Sequence, residues 1–206
     1  MAIRNNRRKK LPVILEPEEA ERLLRIPNKR YLPGVRNRAI LAVMLNMGLR
    51  VSEVSNLRPG DINLTKNKIR VVAGKGNVDR DLKIPFNTAE LLRAWKDKKP
   101  AGSEYFFCII KNKKSGKFAS LTGSKLSVRN IQTFVKRYAV RAGITKNISP
   151  HTLRHTYATQ YYKQTKDIET LRRILGHSDI STTTIYITLA NIDVENGMSQ
   201  FIETKV

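Results

Sequence analysis

His151 and Arg154 stand three residues apart in the run Ser149-Pro150-His151-Thr152-Leu153-Arg154-His155-Thr156. On a helix, side chains at that spacing share a face. Ser149 suits the N-cap and Pro150 the first helical position, so both side chains fall within the opening turns. Free amides and the positive end of the helix dipole attract anions there. A phosphate would meet a guanidinium fork, an imidazole and backbone N–H groups together. Two plainer readings compete. One is an exposed polar helix start. The other is a metal site, since His151 and His155 are four apart, half of a zinc-protease pattern. The adjacent glutamate is missing and Arg154 would repel a cation, so no metal is expected.

Two more blocks carry candidate chemistry. Gly48-Leu49-Arg50-Val51-Ser52-Glu53 puts Arg50 at a helix start, where the dipole disfavours a cation unless an anion binds. The bland alternative is an Arg50–Glu53 pair. Leu175-Gly176-His177-Ser178-Asp179 leads into Thr182-Thr183-Thr184-Ile185-Tyr186. Taken alone, His177 is an ordinary helix C-terminal residue. Tyr186 alone is more often a packed aromatic than a nucleophile.

The elements that must position these blocks are mostly helical. Residues 1–12 read as a basic tail or linker, crowded by Arg4, Arg7, Arg8, Lys9 and Lys10. Glu16-Pro17-Glu18-Glu19 opens a first helix. A second runs from about Arg36 to Met47 and is stopped by Gly48; a short third covers Val51 to Leu57. The period then changes to two. Ile62 and Leu64, Ile69 to Ala73, and Leu82 to Pro85 predict a small antiparallel sheet, with Gly74-Lys75-Gly76-Asn77 as the tip of its last hairpin. Asn87 with Glu90 resembles a capping box for a helix through Trp95. After a polar loop from Lys111 to Ser124, helices are predicted from Ser127 to Ala142, from Ser149 to Gln164, from Asp167 to Gly176, and from Ser181 through Tyr186. The fold class is α+β, a mostly helical domain with a small antiparallel sheet near its N-terminal third, spanning residues 13–190. Residues 191–206 form a tail.

Composition sharpens the reading. Lys and Arg number 39 against 17 Asp and Glu, a formal net charge of +22. Self-repulsion of that size is offset by a polyanion, and nucleic acid leads. An anionic membrane surface is the weaker candidate, because no long basic amphipathic helix ends the chain. No apolar run approaches the roughly 20 residues that cross a bilayer, and the polar N-terminus lacks a signal-peptide core. A soluble cytoplasmic protein is expected. Cys108, the one cysteine, lies in Tyr105-Phe106-Phe107-Cys108-Ile109-Ile110 and reads as a buried structural thiol.

Taken together and in order, Gly-Leu-Arg-x-Ser-Glu, Gly-Lys-Gly-Asn, His-x-x-Arg-His-Thr, and Leu-Gly-His-x-x-Ile-Ser-Thr-Thr before a tyrosine resemble the catalytic domain of the tyrosine recombinases, or phage-type integrases. The resemblance runs from about Leu11 to beyond Tyr186. It implies that Tyr186 is the nucleophile and that Arg50 and Arg154 grip the scissile phosphate. It likewise implies that His151 helps manage the tyrosine proton, that His177 is a further hydrogen-bond donor to the phosphate, and that Lys75 is the hairpin general acid. Glu53 supports Arg50. Lys75, Arg80 and Arg154 are candidate DNA contacts. The stretch Arg80-Asp81-Leu82-Lys83-Ile84-Pro85 is about two residues longer than in many relatives, so Lys83 or a shifted register is the alternative to Lys75. The family usually carries a helical domain that clamps the far face of the DNA before this region, and the chain is expected to lack it.

The chemistry also follows from residue types. The pentavalent transition state of phosphodiester attack gathers charge on equatorial oxygens, which two guanidinium forks stabilise. A phenol of pKa about 10 needs proton removal or strong phosphate neutralisation to attack at neutral pH. The product, a 3′-phosphotyrosine, conserves bond energy, so a 5′-hydroxyl can reverse the step with no nucleotide cofactor or metal. A site-specific recombinase acting on double-stranded DNA, as a homotetramer on paired sites, is the leading reading. A type IB topoisomerase-like enzyme and a non-catalytic DNA-binding module are the alternatives. In the tail, Ile192, Val194, Met198, Phe201 and Ile202 beside Asp193, Glu195 and Glu203 suit a protomer–protomer contact.

Binding to duplex DNA is expected to weaken steeply with salt, with a log–log slope of about −0.9 for each phosphate neutralised. Fluorescence anisotropy of a labelled duplex over a series of salt concentrations measures this. An affinity that ignores salt would sink the electrostatic account.

Overall fold

Helix α2 (Leu32–Met47) is the element around which the others assemble. Its run Ala39, Ile40, Leu41, Ala42, Val43 and Met44 is fully buried, so the helix is apolar all round rather than along one stripe. The computed structural model describes residues 11–72, 79–110, 123–177 and 183–191. In it α2 starts at Leu32, earlier than the Arg36 expected from sequence. Pro33 is tolerated in the first turn because no intrahelical partner awaits its missing N–H. Gly34 admits the Asn28 carbonyl, which would lie 1.9 Å from a Cβ at that position.

Helix α1 (Pro17–Arg25) carries Glu18 and Glu19 in its first turn and Arg22 and Arg25 in its last, matching its dipole. Lys146 ties it down, donating to Glu19 Oε2 at 2.7 Å and to the Ile14 carbonyl at 3.2 Å. Short helix α3 (Val51–Asn56) follows α2 after a left-handed Gly48. A 3-10 turn at Pro59–Asp61 then leads into the sheet of β1 (Ile62–Asn63), β2 (Lys68–Val71) and β3 (Arg80–Lys83). It is antiparallel in the order β1-β2-β3, with Ile62 opposite Ile69 and Ile69 opposite Leu82. The fold class is α+β, as expected.

Strand β3 begins at Arg80 and ends at Lys83, so Pro85 lies outside it. Pro85 is instead the N-cap of α4 (Phe86–Lys96), and its carbonyl accepts from the Thr88 and Ala89 amides at 3.0 and 2.9 Å. The helix therefore starts before Asn87, and the Asn87–Glu90 capping box does not form. Helices α5 (Val128–Arg141), α6 (Pro150–Thr165) and α7 (Ile168–Leu175) start at Ser127, Ser149 and Asp167, each accepting from a backbone amide of its own first turn. A final helix, α8, covers residues 185–191.

Helices α4 and α6 pack directly on α2. The main core joins α2 to Trp95, Phe106, Phe107 and Cys108, and the thiol is fully buried. A second, smaller core holds Ala158, Leu171, Leu175, Tyr186 and Leu189. It packs α6, α7 and α8 together at the C-terminal side. Lys75 and the rest of the hairpin tip, residues 1–10 of the basic tail, and residues 192–206 lie outside the described residues. Among the described residues no helix is long and apolar enough to cross a membrane.

Gly48 is the joint between α2 and α3. Its φ of 65° favours glycine, and a Cβ there would lie 2.3 Å from Tyr157 Cδ1. Gly48→Ala is therefore expected to cost roughly 2–4 kcal/mol, from left-handed strain plus overpacking. Urea unfolding measures it; a midpoint equal to that of the wild type would show the joint to be soft.

Candidate active site

One carboxylate organises the site. Glu53 sits in the first turn of α3, where the dipole welcomes its charge and where it accepts the Arg50 amide at 2.7 Å. Its two oxygens receive a bidentate Arg80 fork, both bonds 3.0 Å, and Oε1 also takes Arg50 Nη1 at 3.1 Å. Arg154 Nη1 stands 4.0 Å from Oε2. The Glu53 side chain is 7% exposed. Burial alone would raise its carboxyl; Arg80, the Arg50 amide and Arg154 outweigh it and hold the group below the usual carboxylate range.

The same three arginines converge on the end of α7. Its last carbonyls lack intrahelical partners and form the negative end of its dipole. Arg80 Nε donates to Ile174 O at 2.5 Å, Arg154 Nη2 to Leu175 O at 2.7 Å, and Arg50 to Leu175 O and Gly176 O at 3.2 and 3.3 Å. Arg154 also donates to Gly48 O at 2.7 Å, joining the α2 end to α6. Gly176 closes α7 with φ 65°, and a Cβ there would press on Arg80 Nη1 at 2.8 Å.

Past Gly176 the chain presents His177. Its Nε2 lies 2.9 Å from Arg154 Nη2 and its Nδ1 lies 3.0 Å from Thr183 Oγ1. Arginine only donates, so Nε2 accepts and the ring proton is assigned to Nδ1, which donates to Thr183. Burial, then Arg154, Arg50 and Arg80, push His177 down to about 4, so it is neutral at pH 7. Buried Thr183 opens the turn whose carbonyl accepts the Tyr186 amide at 3.1 Å.

Tyr186 is 2% exposed. Its hydroxyl meets His155 Nδ1 at 3.0 Å. Burial raises the phenol above its ordinary value, while Arg154 and Arg50 pull the other way. His151 is exposed one turn earlier on α6.

The structure thus gathers Arg50, Glu53, Arg154, His177 and Tyr186 at one place. His151 lies on the adjoining α6 surface rather than against the tyrosine. Arg80, expected on DNA, turns inward with its side chain 8% exposed and braces Glu53. Exposed Lys83 ends β3, and Lys75 is outside the described residues. Sequence reading missed two participants. His155 entered only as a metal-like partner of His151, and its contact with Tyr186 spans 31 positions, beyond any local pattern. The α7 carbonyls are backbone and carry no residue signature beyond Gly176, whose helix-ending role locates them.

Chemically, the site is cationic in excess. Among the described residues three guanidinium groups face one carboxylate, and burial followed by Arg50 lowers Arg154 to about 10. Arg50 is the open one, its side chain 27% exposed, and its bonds to α7 are the longest of the cluster. An anion of phosphate size and geometry would exchange those carbonyl bonds for charge-assisted ones.

With a folded pKa below the unfolded value of about 4.3, Glu53 contributes stability above that pH and loses it as pH falls through the folded pKa. Glu53→Gln is expected to cost roughly 3–5 kcal/mol at pH 7, because it leaves buried arginines facing a neutral amide. It should also flatten the acid limb of stability against pH. Urea melts across pH test both, and a variant as stable as the wild type would show that the α7 carbonyls hold the cluster alone.

This arrangement has relatives. The model of the phage integrase family matches residues 14–191. The tyrosine recombinase XerA of Thermococcus kodakarensis is 36% identical over 196 residues, which cover 94% of this chain and 64% of that protein. The crystal structure of XerA recombinase superposes with a TM-score of 0.77 at 28% identity, over 97% of this chain and 67% of that one. The XerH site-specific recombinase, bound to its palindromic difH substrate in a post-cleavage complex, gives a TM-score of 0.72 at 28% identity, over 92% of this chain and 53% of that one. The chain spans about two thirds of the length of the curated XerA protein it matches. With the family match running from the start of the first helix region to the end of α8, the chain belongs to the phage integrase family.

Proposed function

We propose that the chain is the strand-cutting and rejoining domain of a site-specific recombinase. Its substrate is double-stranded DNA and its nucleophile is Tyr186. The observation that carries this reading is the meeting of Arg50, Arg154 and the Tyr186 helix at the Glu53–α7 cluster, with cationic charge in excess. The net charge of +22 and the recombinase names of the relatives support it.

Arg50 and Arg154 receive the scissile phosphate and stabilise the charge that builds on its equatorial oxygens. The Tyr186 oxygen attacks phosphorus, the P–O5′ bond breaks, and a 3′-phosphotyrosine forms. Lys75 protonates the departing 5′-oxygen. His177 first receives an Arg154 hydrogen bond at Nε2; once that fork turns to phosphate, the ring proton shifts from Nδ1 to Nε2, Thr183 donates to Nδ1 in its place, and Nε2–H donates to the same oxygens. Attack by a 5′-hydroxyl from a second duplex reverses the step and exchanges strands. Exchange between two duplexes calls for four protomers on paired sites, with the tail from residue 191 onward as the contact between them.

Tyr186→Phe is expected to abolish the covalent adduct formed on nicked suicide duplexes while leaving duplex affinity unchanged, since only a hydroxyl is lost. Denaturing gels that separate protein–DNA adducts report the outcome. A persisting adduct would assign the nucleophile to another residue, Tyr157, Tyr161 or Tyr162 first.

A further inference from the structure

A buried cation is costly unless a counter-charge and a full set of acceptors meet it. Arg36, in the second turn of α2, is 8% exposed, and burial lowers it to about 10, so it is charged at pH 7. Its Nη1 donates to the Cys108 carbonyl at 2.7 Å and its Nε to Asn37 Oδ1 at 3.0 Å, and both acceptors are neutral. Among the described residues its Nη2 has no hydrogen-bond partner and the guanidinium faces no carboxylate. Asn37 in turn donates to the buried Tyr138 hydroxyl at 3.0 Å, which leaves the Tyr138 proton without an acceptor among the described residues. Both side chains line one cavity of about 380 Å³ between α2, residues 109–110 and α5. Its lining mixes donors with apolar groups, Arg36, Arg137 and Tyr138 among the first, Ile109, Leu126 and Phe134 among the second. No acid lines it, and the surrounding chain has none to lend. Every lining residue falls within residues 22–52 or 105–166, two stretches without an Asp or Glu.

We propose that this cavity binds a small organic carboxylate, one with an aromatic or branched aliphatic body. The carboxylate oxygens take the free Arg36 donor and the Tyr138 proton, and Arg137 adds a second positive charge from α5. The body packs on Phe134, Ile109 and Leu126. A planar carboxylate matches a guanidinium edge, and a pocket of this size with few donors in an apolar lining is the usual form of a small-molecule site. Free phosphate has no apolar body to bury, and a DNA phosphate is held on a polar backbone. The occupant supplies the counter-charge that the chain lacks here and ties α2 to α5. Gly48 and Arg50 lie beyond the other end of α2, roughly 18 Å along its axis from Arg36, so the proposal does not depend on the Tyr186 reading.

The test titrates the intact protein with sodium benzoate, with benzamide as a neutral control of the same shape and sodium chloride at matched ionic strength. NMR of backbone amides and methyl groups is expected to show saturable shifts at Ile109, Ile110, Leu126 and Phe134, with benzoate and with neither control. Arg36→Met keeps the aliphatic stem and removes the charge. It should lower benzoate affinity about tenfold or more, as loss of a charge-assisted hydrogen bond does. Arg137→Gln changes an exposed side chain, so it reads the same cavity even where Arg36→Met disturbs folding. It should weaken benzoate while leaving the melting temperature of the unliganded protein unchanged. Equal shifts with benzamide would reduce the site to an apolar cleft and overturn the proposal. Shifts that fail to saturate, or that centre on Arg50 and His177, do the same. So does inorganic phosphate that displaces benzoate at equal concentration, since the apolar lining then selects nothing. Displacement of benzoate by duplex DNA, together with weaker duplex binding by Arg36→Met, would assign the cavity to the DNA backbone instead.

Discussion

Everything at the site depends on Glu53 being, among the described residues, the one carboxylate that three converging arginines share. Two like charges about 4 Å apart repel by about 4 kcal/mol at an effective dielectric of about 20, so the cluster cannot stand on side-chain packing alone. Glu53 neutralises one of them through a bidentate fork with Arg80 and orients a second, Arg50, through both its amide and its guanidinium. The rest of the compensation comes from backbone. The α7 carbonyls offer partial negative charge that is already fixed by the helix, and three arginines read it at once.

The consequence is a division of labour among residues of one type. Arg80 is fully committed to structure, and Arg154 is held between the ends of α2 and α7. Arg50 is the most exposed and the most loosely bonded of the three. Among the described residues, the uncompensated cationic charge therefore faces outward at Arg50, where it is open to an anion. Glu53 and α7 keep that charge from pulling the fold apart.

Tyr186 belongs to the small core formed with Ala158, Leu171 and Leu175. Its ring packing and its hydroxyl chemistry are thus linked. The side chain is 2% exposed, so the phenol lies within the packing of α6, α7 and α8. The His155 and Thr183 hydrogen bonds hold the start of the helix in register.

Much of this was legible in the sequence. Gly48, Ser149, Asp167 and Gly176 announced helix ends through backbone and capping chemistry that acts locally. The alternation at Ile62, Ile69 and Leu82 announced the sheet. The ordered motifs around Arg50, His151, Arg154, His177 and Tyr186 pointed to phosphoryl transfer. The start of α2 was not legible, because the reason for Gly34 inside its first turn is the Asn28 carbonyl, a contact that exists only in the folded chain. Two assignments rested wholly on tertiary structure. Arg80 looks like any surface cation beside a hairpin, and only its approach to Glu53 and Ile174, 27 and 94 positions away, turns it inward. His155 and His151 are equivalent in type and lie on one helix. Which of them faces the tyrosine is decided by how α8 packs across α6, and that depends on a core assembled from three separate helices rather than on any spacing along the chain.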